Sequence, residues 1–378
     1  MTKKIKLLQI IPRMDIGGAE TGCLHIAEYL ARIGHKSFIL TSGGNLLNLI
    51  DRNKIGILNW PVSKNFFMIF FNIFVILFLI LFKSINICHV RSRGPAWSAY
   101  FACKLTNIPL VSTFHGTYNF KSNIKLFYNS VMLRTNHVIA GSDYILNHIY
   151  KNYKTEKQIS VIKRGIDTNY FSNKNVSETE ENKLKDFLQI PKDKFLILLP
   201  GRLTYWKGQK LFIEAINFLK TSNKFENCFA LVIGSDQGRK KYRDELINMV
   251  NKYNLKNTLK IAHGINKMPV AYSISNLIVS SSIEPEAFGR VSVEAQSMEK
   301  PILASNLGGS TETIIPEKTG WLFRSESVSE LANSIEMITK LDKKVLDAIG
   351  RQGRKNVLEN YSKDRMCSKT LEIYNSLV

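Results

Sequence analysis

The chain has 378 residues, of which 44% are hydrophobic, 10% aromatic and 22% charged. At about 150 residues per domain this length implies two domains, each able to bury its own core, and the composition excludes disordered, collagenous and coiled-coil chains and metal- or disulfide-stapled minidomains. Fifty-two Lys and Arg against 31 Asp and Glu leave a formal charge of +21, which favours phosphates, nucleic acids or anionic headgroups as partners without choosing among them.

The start, Lys3-Lys4-Ile5-Lys6-Leu7-Leu8-Gln9-Ile10-Ile11-Pro12, is basic, but its apolar run ends after a few residues with no small-residue cleavage site. It is predicted to be a first strand facing the cytoplasm. The five cysteines, at 23, 88, 103, 228 and 367, form no C-x-x-C pair and make an odd total, which fits a reducing compartment better than a zinc framework or a disulfide set.

Ile5 to Ile11 is a β-branched apolar run, followed by Asp15-Ile16-Gly17-Gly18-Ala19-Glu20 and then by Leu24, Ala27, Leu30 and Ala31 at helical spacing. This predicts strand, glycine loop, helix. Further short strands are predicted at Phe38 to Leu40, Ile87 to Val90, Leu110 to Thr113 and His137 to Ala140, separated by helix-length segments, the pattern of a parallel sheet covered by helices.

Phe66 to Phe82, flanked by Lys64 and Lys83, departs from that pattern: Asn72 is its only polar residue and it holds seven of the 21 Phe. As a helix it would be about 25 Å long, at the lower edge of what crosses a bilayer. A single crossing would split the domain just assembled. The favoured expectation is a helix lying on or dipping into a membrane surface, with burial inside the fold as the alternative.

Residues 172 to 194 are rich in Asn, Lys, Glu and Ser, and are predicted to be a connection plus an exposed helix. The opening form then repeats. Phe195 to Leu199 is an apolar strand, Pro200-Gly201-Arg202-Leu203-Thr204-Tyr205-Trp206-Lys207-Gly208 a polar glycine loop, and Leu211 to Leu219 has helical spacing. Ala230 to Gly234, Leu259 to Ala262, Leu277 to Ser280 and Pro301 to Ala304 supply later strands. Two doubly wound α/β domains in series, each with a glycine loop at a strand's carboxyl end, imply a ligand cleft between them.

The segment with most chemistry runs from Ser280 through Glu286-Ala287-Phe288-Gly289 to Glu294, after a strand and before a helical run. Pro285 disfavours helix at Glu284, so the helix is expected to begin near Phe288, with its first amides free for a phosphate. Were Glu286 and Glu294 on one helix, about 12 Å would separate them, too far for the carboxylate pair of a retaining hydrolase. Different roles follow. Spacing alone would leave both as ordinary solvated acids.

Glu286-x7-Glu294, followed by Pro301-Ile302-Leu303-Ala304-Ser305, Gly308-Gly309-Ser310-Thr311-Glu312-Thr313 and Thr319-Gly320-Trp321-Leu322, resembles the retaining GT-B-fold glycosyltransferases of family 4. So do Gly17-Gly18-Ala19-Glu20, Thr113-Phe114-His115-Gly116, Val161-Ile162-Lys163-Arg164-Gly165-Ile166-Asp167 and Gly201-Arg202-x4-Lys207-Gly208, in order over nearly the whole chain.

The resemblance implies a GT-B fold, with two Rossmann-like domains facing across a cleft: residues 1–175 for the acceptor, residues 190–355 for a nucleotide-diphosphate sugar, and a C-terminal helix in residues 356–378 packing back on the first domain. It implies that Arg202 and Lys207, with amides of Gly17-Gly18 and of the helix after Phe288, carry the charge growing on the diphosphate. Arg202 can grip phosphate oxygens bidentately, and Lys207 supplies a mobile point charge. It gives His115 a contact to the donor sugar near the reacting carbon, Glu286 the sugar hydroxyls and Glu294 the ribose hydroxyls. Phe288 and Gly289 offer amides, and Gly264-Ile265 falls where the base-binding loop lies. Arg164 stands where many relatives have Asn, and no role is given to it. No two aspartates are separated by one residue, so the D-x-D of metal-dependent sugar transferases is absent, and no metal or other cofactor is expected.

With no convincing nucleophile on the sugar's expected face, front-face displacement follows, the departing diphosphate oxygen taking the acceptor's proton. Lys121, Lys125, Arg134, Lys151, Lys154 and Lys157 share the first domain with the apolar helix, which suits anionic lipid and a lipid-linked saccharide acceptor. By analogy this places the protein at the inner face of a bacterial cytoplasmic membrane, in envelope polysaccharide or lipopolysaccharide synthesis. The competing readings are another GT-B enzyme, such as a sugar-nucleotide epimerase or a soluble sugar synthase, and a basic nucleic-acid-binding protein. The last lacks any RRM, zinc or KH pattern, so no nucleic-acid partner is expected. A dinucleotide oxidoreductase is disfavoured because no G-x-G occurs.

Overall fold

The computed structural model describes residues 4–15, 17–62, 66–118, 122–265 and 267–378, with the side chain of Phe66 left out. Lys3, Ile16, Lys64 and Lys121, all named above, lie outside the described residues. The chain divides into two units, one of Met1–Gly165 with Lys363–Val378 and one of Ile166–Ser362.

Among the described residues the first unit has seven parallel strands, β1 (Lys6–Ile10), β2 (Lys36–Thr41), β3 (Ile55–Asn59), β4 (Ile87–Val90), β5 (Leu110–Phe114), β6 (His137–Ala140) and β7 (Ile159–Val161), in the order β3-β2-β1-β4-β5-β6-β7. β3 and β7 are additions to the predicted set. Both are short edge strands, and Gly56 interrupts the apolar pattern of β3, so pairing with a neighbour rather than local pattern makes them strands. One face of this sheet presents Ile5, Leu7, Ile87, Val111 and Ile139 to Ile26 and Leu30 of helix Gly18–Arg32 and to Ile373 and Tyr374 of helix Lys363–Leu377.

The second unit repeats the plan with β8 (Phe195–Pro200), β9 (Cys228–Ile233), β10 (Leu259–Ala262), β11 (Leu277–Ser280), β12 (Ile302–Ser305) and β13 (Trp321–Phe323), all parallel, in the order β10-β9-β8-β11-β12-β13. The exposed helix expected before β8 is Glu178–Phe187, begun by a capping box in which Ser177 and Glu180 bond each other's backbone amides. β13 is the addition here, three residues that begin at Trp321 in the Thr319-Gly320-Trp321-Leu322 motif and end one residue past it.

Two expected boundaries need correction. The first unit ends at Gly165 rather than 175, because the Ile166 amide donates to the Tyr361 carbonyl (2.9 Å), Phe171 lies edge-on to buried Tyr272, and Asn173 donates to the Met298 carbonyl. The return to the first unit starts at Lys363 rather than 356. Helix Lys343–Asn360 stays with the second unit, where Gly353 lies against Gln296 and Val357 is in the core. Helix Lys363–Leu377 is tied to the first unit by Tyr374 Oη against His89 Nδ1, 2.5 Å, and by Arg32 against Asp364.

The apolar segment is helix Phe66–Lys83, and it is neither buried throughout nor a span. Asn72, Ile76, Leu79 and Ile80 are buried. Asn72 accepts from Trp60 Nε1 and donates to the Pro61 carbonyl, so the one polar residue is a buried tie rather than a surface break. The opposite face shows Phe67, Phe70, Phe71, Phe74, Phe78, Leu81 and Phe82 to solvent, each more than half exposed. Among the described residues no helix is long and apolar enough to cross a membrane.

Candidate active site

In the second unit the strand order reverses between β8 and β11, the switch point at which open α/β sheets hold ligands beyond their carboxyl ends. The chain leaves β8 through Gly201 and Arg202 into a short turn of helix, Tyr205–Lys207, and then Gly208 opens helix Gln209–Thr221. Gly208 has φ 68°, and a Cβ there would stand 1.8 Å from the Ser281 carbonyl oxygen. Only glycine lets the two loops meet this closely. The Arg202 carbonyl is held by Gln209 Nε2 at 2.9 Å, and the Trp206 ring faces both cations, 4.6 Å from Lys207 Nζ and 5.8 Å from the Arg202 guanidinium carbon.

From β11 comes the second half of the cluster. Glu286 Oε1 lies 2.7 Å from Lys207 Nζ and 2.7 Å from Ser282 Oγ, with Ser280 Oγ at 3.5 Å. The ion pair is close to closed from water, with the two side chains 11% and 10% exposed. Burial alone would push the Glu286 carboxyl up. The Lys207 ammonium and the Ser282 and Ser280 hydroxyls overcome it and hold the group below the usual carboxylate range.

Gly308 and Gly309 buttress this loop: a Cβ on Gly308 would meet the Glu286 carbonyl oxygen at 2.4 Å, and one on Gly309 the Phe288 Cα at 2.4 Å, while the Gly309 amide donates to the Glu286 carbonyl. The helix begins at Arg290 with Gly289 as its N-cap, two residues later than expected at Phe288. The Phe288 side chain is buried beside Tyr361, so what Phe288 can offer a ligand is its backbone. Glu294 is bonded apart from Glu286, as their separation requires: its Oε1 accepts from Arg290 Nε and Nη2 (3.1 and 2.9 Å) and its Oε2 from buried Tyr272 (2.9 Å).

Arg202, Lys207, Glu286, Phe288 and Gly289 therefore gather at the switch point, with Glu294 in the helix that leaves it. Gly264 and Ile265 follow β10, the edge strand two places from β8, about 10 Å along the sheet, where Ile265 packs on the same core as Tyr272. Sequence reasoning missed Tyr272, Arg290, Ser282 and Trp206. Arg290 was visible as the i,i+4 partner of Glu294; Tyr272 had no local signal.

In the first unit the switch point lies between β1 and β4. Gly17 follows β1 as the N-cap of helix Gly18–Arg32, which has no side-chain cap, so its leading amides face outward. His115 follows β5. Its Nδ1 faces the guanidinium of Arg164, which follows β7, and its Nε2 is buried without a hydrogen-bond partner among the described residues. Burial first, then Arg164, Arg91 and His89, keep the His115 ring well below the ordinary histidine value.

Comparison with known proteins agrees with this geometry. The glycosyltransferase family 4 profile matches residues 16–170 and the glycosyl transferases group 1 profile residues 180–356. The crystal structure of a glycosyltransferase from Rickettsia africae ESF-5 is 34% identical, covers 99% of this chain with 98% of its own, and superposes with a TM-score of 0.91. The chain belongs to the GT-B family 4 glycosyltransferases. The enzyme also resembles an Escherichia coli galactosyltransferase named for α-D-GlcNAc-diphosphoundecaprenol, 23% identical over 78% of this chain and 76% of the relative. An Anabaena protein crystallised with UDP and glucose shares the fold, with a TM-score of 0.84 at 21% identity over 99% of this chain and all of its own.

Proposed function

We propose that this glycosyltransferase retains anomeric configuration, needs no metal, and moves a sugar from a nucleotide-diphosphate sugar to a lipid-linked saccharide in bacterial envelope polysaccharide or lipopolysaccharide synthesis. It works at the inner face of the cytoplasmic membrane. The observation that carries the donor half is the buried Lys207–Glu286 pair at the switch point, beside Arg202 and a helix start. A diphosphate arriving there meets cations already in place, whose attraction to it strengthens as the bond to the anomeric carbon lengthens. Glu286, freed from its lysine, is left to accept from sugar hydroxyls, and Glu294 to accept from ribose.

The acceptor half rests on the first unit. Besides the aromatic face of helix Phe66–Lys83, Phe101 and Leu105 of helix Arg93–Thr106 and Ile124 and Phe127 of helix Asn123–Ser130 are exposed, with Trp97 in contact with both Phe101 and Phe127. Arg134 stacks over both Trp97 and Phe127. Aromatic side chains with interleaved cations suit the headgroup region of an anionic bilayer, where a lipid-linked acceptor resides. The E. coli relative named for a diphosphoundecaprenol acceptor is consistent with that class.

A screen of UDP-, GDP-, ADP- and CMP-sugars for thermal stabilisation names the donor, and transfer of label from it to a second molecule separates this reading from an epimerase. Lys207→Ala is expected to stay folded and to lose about 10² to 10³ of turnover. Near-normal turnover at saturating donor, or transfer that requires a divalent ion, contradicts the proposal.

A further inference from the structure

His115 is bonded on one side only. Three successive strands build its setting: β5 delivers His115, β6 is followed by Gly141, and β7 leads to Arg164. A Cβ on Gly141 would lie 3.4 Å from Arg164 Nε and 3.3 Å from the Phe114 carbonyl oxygen, so the bare backbone at 141 leaves the lane along which the arginine reaches the histidine. Arg164 Nη2 meets His115 Nδ1 and also stands 3.5 Å from the His115 carbonyl oxygen.

A guanidinium has donors and no acceptor. The Nδ1 facing it must therefore present its lone pair, and in a neutral ring the single proton sits on Nε2. That N–H is buried and has no partner among the described residues. Native structures leave few such donors unpaired, and one that stands beyond a strand's carboxyl end, where open α/β sheets hold ligands, is placed to be met by water or by a bound molecule.

We infer that Arg164 is a positioning residue that locks His115 as the neutral Nε2–H tautomer, so that the ring serves as a hydrogen-bond donor to an oxygen of the bound sugar. This deepens, and rests on, the reading of His115 as a donor-sugar contact. The charged and titratable groups around the ring are Arg164, Arg91, His89 and Tyr118, none of them an acid, and all act against an imidazolium or leave it unsupported. With its lone pair turned to a cation, the ring has no place for the acceptor's proton. That proton is left to the departing diphosphate oxygen.

The test uses the full chain labelled with 15N-histidine. Long-range 1H–15N spectra report the tautomer of each ring, and the resonance lost in His115→Gln assigns His115. The wild-type ring is expected to show unprotonated Nδ1 and protonated Nε2 from about pH 8 to about pH 5, below the ordinary histidine value. Arg164→Lys, still a pure donor, keeps that pattern. Arg164→Met admits the Nδ1–H tautomer or lets the ring titrate near the ordinary value, and its transfer rate falls on the acid side where the wild type stays flat. A structural role alone would lower the rate equally at every pH.

A wild-type ring with Nδ1–H, an imidazolium at neutral pH, or an unchanged Nε2–H pattern in Arg164→Met overturns the inference. Should Arg164→Met not fold, the wild-type and Arg164→Lys spectra still test it. Undiminished transfer by His115→Gln, with the wild-type tautomer as expected, refutes the sugar contact and leaves the lock standing.

Discussion

At the scale of single residues, the proposed donor site is held ready by pairs that each satisfy one another. A lysine alone at the switch point would be desolvated without a counter-charge, at a cost of several kcal/mol. Glu286 supplies the counter-charge, and the serines before it supply the remaining hydrogen bonds. The arrangement depends on backbone contacts that admit no side chain. Gly208→Ala forces a left-handed conformation on alanine and drives its Cβ into the Ser281 carbonyl. Strain and overpacking together are expected to cost about 2–5 kcal/mol in the second unit. Urea unfolding followed by Trp206 and Trp321 fluorescence reads that loss, and a shift below about 1 kcal/mol would mean that the two loops do not meet as described.

At the scale of elements, helix Phe66–Lys83 shows why apolar composition alone cannot assign burial. Its length and its stripe of Asn72, Ile76, Leu79 and Ile80 fit one side to the first unit, against helix Arg93–Thr106, where Ser98 Oγ donates to the Ile69 carbonyl. Among the described residues nothing covers the aromatic side, and a patch of this size marks a surface made for another phase or partner. Phe74→Glu with Phe78→Glu, at positions 56% and 59% exposed, is expected to change stability by about 1 kcal/mol or less. Affinity for vesicles containing anionic phosphatidylglycerol should fall about 10²-fold or more, since each phenylalanine withdrawn from water is worth about 1.5–3 kcal/mol. Cosedimentation checks this, and unchanged binding removes the membrane role from the helix.

For the whole molecule, the first unit carries an acid sensitivity that follows from its core. His89 is fully buried between Tyr374 and Thr113, and His115 lies beside Arg164. Burial first, and then neighbouring arginines, hold both rings well below the usual value. Above about pH 6.5 native and unfolded chains are both neutral at these sites, and the histidines do not alter stability. As pH falls below that value the unfolded chain takes up protons that the native unit refuses. Stability is lost by up to about 1.4 kcal/mol per pH unit for each ring. The urea midpoint of β4 and β5, followed by their amide signals, should therefore drop between about pH 7.5 and about pH 5.5, and an equal midpoint would contradict buried neutral histidines.

Local order was written in the sequence: apolar runs that could only be strands, glycines just past their ends, an arginine and a lysine after β8, and two glutamates after β11. These signals are short-range, and each marks a backbone geometry that few residues tolerate. They sufficed for the family, the two α/β units and most of the side chains that meet at the second unit's switch point. What they could not contain were relations between residues far apart in the chain. The β3, β7 and β13 strands exist because a neighbour offers hydrogen bonds, not because their own few residues insist on it. The exchange of partners at Gly165 and Ser362 depends on Ile166 meeting Tyr361. Arg164 reaching His115 came from strand order, because a parallel sheet aligns the carboxyl ends of segments separated by dozens of residues, and Tyr272 reaching Glu294 came from helices Met268–Ser273 and Arg290–Ser297 sharing one core. Which face of the phenylalanine-rich helix meets water was settled the same way, by the shape of the surface it packs against.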